Sequence, residues 1–122
     1  MLNFDTYGAG EPPLMIVHGL YGSARNWGVI SRRLSEDRRV IAVDQRNHGE
    51  SPWYDAHTYH DMAQDLAQVI EAEMPDGAIV LGHSMGGKAA MVLALTRPEL
   101  AKGLVVADIA PVTYTHSQIQ FV

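Results

Sequence analysis

Cysteine is absent from this chain of 122 residues. No disulfide framework can hold it together and no thiolate can ligate a metal, an absence that fits a reducing compartment. Long apolar runs are missing too. Nothing approaches the roughly 20 consecutive residues that a membrane-spanning helix needs, and no basic stretch at the N-terminus leads into an apolar signal segment. Neither sign of charge is gathered into a block: nine Lys and Arg against 14 Asp and Glu leave a formal charge of −5, which speaks against a nucleic-acid surface. Internal repeats, linkers and low-complexity tracts are also lacking. The expectation is one soluble, cytoplasmic unit over 1–122, whose 47% hydrophobic residues suffice for one core and whose length leaves no room for two.

What is present is a series of short apolar runs separated by helical patterns. Leu14–Val17, Val40–Val43, Ile79–Leu81 and Leu104–Ala107 are each too short for a helix and read as strands buried on both faces, while Leu2–Tyr7 alternates like an exposed edge strand. A first helix is expected from about Ser23, with Trp27, Ile30 and Leu34 on one face. A second starts at Thr58, where Thr58-x-x-Asp61 resembles a capping box, carries Met62, Leu66, Val69 and Ile70 inward, and ends at Pro75-Asp76-Gly77. A third, Met85 to about Thr96, is apolar nearly all round and should be buried. Alternation of strand and helix predicts an α/β fold, a parallel sheet with helices on both faces. Ligands in such sheets bind beyond the carboxyl ends of the strands, where His18-Gly19, Asp44, Ser84 and Asp108 fall.

The chemistry concentrates in Gly82-x-Ser84-x-Gly86, straight after a strand and before a helix. That context fits a nucleophile on a sharp strand-to-helix turn, with small flanking residues easing the turn and the helix N-terminus aiming free N–H groups at the same spot. The same stretch matches most of a phosphate-binding loop, G-x-x-x-x-G-K, but Ala89 stands where Ser or Thr would hold magnesium. Acyl transfer also needs oxyanion donors, a base and a group to orient the base. The Met85 N–H is the first donor. The Leu20 N–H, in His18-Gly19-Leu20-Tyr21-Gly22 after the first buried strand, is the best candidate for the second; the alternative for this loop is an ordinary glycine turn.

Four segments together resemble a known family, the α/β-hydrolase fold, and within it a group of small bacterial esterases with mitochondrial relatives. They are His18–Ser23 with Asn26-Trp27, Asp44–Pro52, Gly82–Lys88, and Ala107–Val112 with Tyr114. The resemblance implies a serine hydrolase that cleaves carboxylic esters or thioesters through an acyl-serine intermediate on Ser84. It implies Asp108 as the triad acid, although many other members draw that acid from a later strand. It casts the Asp44–Pro52 loop as architecture, so Asp44, Arg46 and His48 are not counted as catalytic. Tyr21 would line the substrate pocket; Met85 and Trp27 are also suited to it, Trp27 more so to the core.

Members of that group continue through a helical cap, further strands and a late loop bearing the catalytic histidine. The chain is therefore expected to be the N-terminal part of a single α/β-hydrolase domain, truncated before the cap and the last strands and nearly inactive alone. None of the six histidines replaces the base convincingly: His18, His48 and His83 lie within the loop motifs, His57 and His60 flank the second helix, and His116 lies in the tail. No cofactor and no metal is implied, since His57 and His60 have no carboxylate to complete a ligand pattern. A small acyl ester or thioester is the expected partner, with neither nucleic acid nor membrane. An uncovered edge at Leu104–Ala107 would favour self-association or a companion fragment. The alternative from another class is a non-catalytic binding or assembly module using the same cleft. The scaffold also hosts lyase and peroxidase-like chemistry.

Overall fold

The computed structural model describes residues 1–19, 22–53, 58–107 and 119–121. The elements run β1 (Phe4–Tyr7), β2 (Leu14–Val17), a 3-10 turn (Ala24–Trp27) leading into α1 (Gly28–Leu34), β3 (Val40–Val43), α2 (Tyr59–Glu73), β4 (Ala78–His83), α3 (Met85–Thr96), β5 (Ala101–Ala107) and β6 (Ile119–Phe121). They build one sheet in the order β1-β3-β2-β4-β5-β6. The four central strands are parallel, and β1 and β6 pair antiparallel at the two edges.

The apolar strand runs divide between two faces because alternate side chains point opposite ways. Met15, Val17, Ile41, Val43 and Val80 pack with α2 and α3, while Leu14, Ile16, Val40, Ala42 and Leu81 pack with Ala24 and Trp27. The chain leaves β2 toward α1 on one face and leaves β4 toward α3 on the other. The carboxyl ends of β2 and β4, which are neighbours in the sheet, therefore flank the point where the winding reverses, where a crevice opens in such folds.

α2 matches its sequence pattern. The Thr58 hydroxyl accepts from the Asp61 N–H at 3.0 Å while the Asp61 carboxylate receives the Thr58 N–H, a reciprocal cap, and Met62, Leu66, Val69 and Ile70 are all buried. Among the described residues no helix is long and apolar enough to cross a membrane.

The first helical segment begins where expected, directly after Ser23, though as a 3-10 turn, and the Ala24 N–H is taken at 2.8 Å by the Asp44 carboxylate from the end of β3. Two expectations need correction. α3 is not buried all round, because its outward side has no described element against it; Leu95 is 83% exposed and Met91 38%. The edge expected at Leu104–Ala107 is covered in part, since β5 starts earlier, at Ala101, and β6 pairs with Val105–Ala107. Among the described residues, what stays open is a face rather than an edge. Beside α1 a groove of about 490 Å³ is lined by Leu14, Leu34, Ile79, Leu81 and Val105, which leaves Leu34 exposed although it lies on the inward stripe of its helix.

Candidate active site

β4 delivers its apolar residues into both faces and then stops at His83, and the chain reverses direction within one residue to enter α3. That residue is Ser84, whose φ of 53° and ψ of −114° place it in a region side chains seldom adopt, at a cost of about 1–3 kcal/mol. A serine preceding a helix ordinarily turns its hydroxyl back onto the first amides. The Ser84 side chain makes no such bond, and the residue is exposed.

The flanking glycines are needed for close approach, not for a left-handed backbone; the positive φ falls on Ser84 itself. A Cβ at Gly82 would lie 2.5 Å from the Gly86 carbonyl oxygen and 2.6 Å from the Gly87 Cα. One at Gly86 would overlap the carbonyl oxygens of Val17 and His18. The N-terminus of α3 can press onto the ends of β2 and β4 only because both positions lack a side chain. At that terminus the Ser84 carbonyl receives the Lys88 N–H at 3.1 Å, and the Met85, Gly86 and Gly87 amides precede any partner within the helix, which gives the start of α3 its partial positive charge.

Gly19, just after β2, packs on His83 at the end of β4. A Cβ at Gly19 would come within 2.8 Å of His83 Nδ1, and the Gly22 N–H closes the turn on the Gly19 carbonyl at 3.0 Å. Leu20 and Tyr21, the expected oxyanion donor and pocket residue, lie outside the described residues, as does Asp108. β5 is described to Ala107, which stands opposite His83. Trp27 is core, 4% exposed, with its ring 5.9 Å from that of His83. Lys88 has its ammonium 5.8 Å from the centre of the Tyr59 ring, and Ala89 behind it is fully buried.

The loop after β3 is a bonded scaffold. The Asp44 carboxylate accepts from Asn3 Nδ2 and the Ala24 N–H at 2.8 Å each and from the Glu50 N–H at 3.2 Å, while Ser51 donates its hydroxyl to the Asp44 carbonyl. A Cβ at Gly49, where φ is +51°, would overlap that carboxylate. Arg46 reaches α2 in a two-pronged pair with Asp65, at 2.6 and 2.9 Å. Gln45, inside the Asp44–Pro52 segment, was given no role of its own by the sequence. It is 1% exposed and joins the β3 loop to His18, and a lone glutamine in a polar loop carries no signal of such a role.

A family model described as alpha/beta hydrolase fold matches residues 12–121. The chain belongs to the alpha/beta hydrolase fold family. Esterase YbfF of Escherichia coli is 48% identical to this alpha/beta hydrolase over 102 residues, 84% of the chain and 40% of the esterase. The sn-1-specific diacylglycerol lipase ABHD11 of Xenopus laevis is 42% identical over 114 residues, 90% of the chain and 36% of the lipase. Among solved structures, a marine microorganism esterase superposes with a TM-score of 0.85 at 44% identity, covering 94% of this chain and 44% of that one. The chain thus spans about two-fifths of the length of the relatives it matches.

Proposed function

We propose that this alpha/beta hydrolase is the nucleophile-bearing part of a serine hydrolase acting on carboxylic esters or thioesters. Ser84 attacks the acyl carbonyl, and the Met85 and Leu20 amides receive the developing oxyanion. A histidine oriented by Asp108 takes the serine proton and returns it to the departing alcohol or thiol. Water, deprotonated by the same histidine, then releases the acid and restores the serine. None of the chain's own histidines is assigned that role; the base belongs to the part of the relatives that the chain does not match. Tyr21 lines the acyl site. The relatives' names, esterase and lipase, support the reaction class.

One observation carries the reading. An exposed serine held at φ 53° carries a conformational cost, and no capping bond to its own helix offsets it. The experiment is labelling with a fluorophosphonate, on this chain and on the chain extended by its downstream sequence. Labelling of the extended form that is lost in Ser84→Ala is the expected result. The chain alone should react far more slowly, since removing the base of a serine triad costs about a millionfold in kcat. An extended form that stays unlabelled, or labelling that survives Ser84→Ala, overturns the assignment.

A further inference from the structure

His18 ends β2 inside the protein, 1% exposed, and its ring has one proton to give and one lone pair to offer. Both are in use. Nδ1 stands 2.7 Å from the Gly19 carbonyl oxygen, and Nε2 stands 2.9 Å from the backbone nitrogen of Gln45. A backbone amide can only donate, so Nε2 must be bare and the proton must reside on Nδ1. Gln45 returns a second bond, from its side-chain nitrogen to the His18 carbonyl at 2.7 Å, and its Oε1 is buried without a partner, so the His18 carbonyl alone orients the amide. The Gly19 carbonyl that takes the His18 proton also takes the Gly22 N–H. One oxygen therefore closes the 19–22 turn and ties it to the ring.

We propose that His18 is a positioning residue for the 19–22 turn, and that its single-proton clamp to Gln45 makes the geometry of that turn acid-labile. The functional meaning rests on the assignment of this turn to the oxyanion site; the clamp itself does not. A second proton on the ring would set two donors face to face, so the Gln45 contact must open. Burial opposes that proton first and holds the ring below the ordinary imidazole value of 6.5; the Gly19 carbonyl and Asp44 pull the other way, and His48 and His83 add to the lowering. Among the described residues the charged and titratable groups around the ring are His48, its own ring 5.1 Å away, Asp44 from the β3 end, and His83 from the end of β4. Because the folded state prefers the neutral ring, the stabilisation is complete above about pH 6.5 and is lost as pH falls from there through the folded value.

The test is nuclear magnetic resonance on the 15N-labelled chain, reading histidine ring nitrogens and backbone amides from pH 7.5 to 5. His18 is expected in the Nδ1–H form at pH 7.5 and to titrate below 6.5, with the Gly19, Gly22 and Gln45 amides shifting at the same midpoint. His18→Gln keeps an acceptor for the Gln45 N–H without a titrating group, so the turn should persist and that coupled shift should vanish. An Nε2–H ring, a His18 titration that leaves those amides still, or an unchanged shift in His18→Gln overturns the proposal; if that variant does not fold, the parent titration decides alone. Labelling of Ser84 at pH 7.5 is a separate readout, so failure of the clamp and failure of the hydrolase reading are told apart.

Discussion

Gly82 and Gly86 show how much of the site depends on hydrogen atoms in place of side chains. Their backbones could accommodate alanine; the space around them cannot, since the added carbon would meet main-chain atoms of α3 and β2 that have nowhere to go. Gly103 is the internal control, because its added carbon would lie 3.5 Å from Ile79 Cγ1, an ordinary contact. Gly82→Ala and Gly86→Ala should therefore lower stability by about 1–3 kcal/mol or more. Gly103→Ala should be neutral or should stabilise by about 0.5 kcal/mol through the unfolded chain. Urea denaturation of the three variants checks the order, and equal effects would remove the close-packing account. The G-x-S-x-G spacing was legible in the chain, and so was the position of the turn. The reason for each glycine was not: a side chain at Gly82 is forbidden by Gly86 and Gly87, which only the folded turn brings back against it, and one at Gly86 by Val17 and His18, which lie far earlier in the sequence. Gln45 and the Asp44 anchor were hidden for the same cause: their partners are His18, Asn3 and Ala24, which no local pattern links to them.

At the scale of elements, what could be read was whatever repeats within one segment. The strand runs, the helical spacing of α2 and its Thr58 cap are periodic or local, and the structure places them where the residues predict. Joints between elements were less visible, and the firmest of them is Arg46–Asp65, which fastens the β3 loop to α2 with side chains only 11% and 13% exposed. Asp65→Asn preserves the shape and removes the charge, leaving the guanidinium without its main counter-ion in a poorly solvated place. Loss of one partner from so enclosed a pair costs about 3 kcal/mol. The expected outcome is a drop of that size in unfolding free energy, with a smaller loss in the double variant Asp65→Asn, Arg46→Met, where neither charge is left behind. A double variant as unstable as the single one would mean that Arg46 matters through its other contacts.

The whole molecule is unevenly clothed, and that asymmetry bears on how the chain behaves in solution. One face of the sheet is covered by α2 and α3 and holds most of the core; among the described residues the other has only α1 and the turn before it, over β2 and β3. Over β4 and β5 no described element covers the half-buried Ile79 and Val105, which line the recess with Leu34 at its rim and Arg33 and Arg38 beside it. A contiguous apolar recess of this kind is uncommon on a monomer in water and favours whatever can dry it. The isolated 122-residue chain is therefore expected to bind anilinonaphthalene sulfonate with enhanced fluorescence and to sediment with a mass that rises with concentration. Leu34→Lys puts a charge at the recess, and Leu95→Lys puts one on the other exposed apolar stripe, along α3. Both side chains are exposed enough that each change should alter stability by no more than about 0.5 kcal/mol. Their effects on association should differ. The recess joins residues of four elements into one surface, whereas Leu95 and Met91 form a single stripe, so Leu34→Lys should shift the sedimentation profile toward monomer and Leu95→Lys should shift it less. A parent chain that stays monomeric across the concentration range and leaves the dye dark would show that the open face is too shallow to drive contact between copies. A larger effect from Leu95→Lys would move the contact to α3.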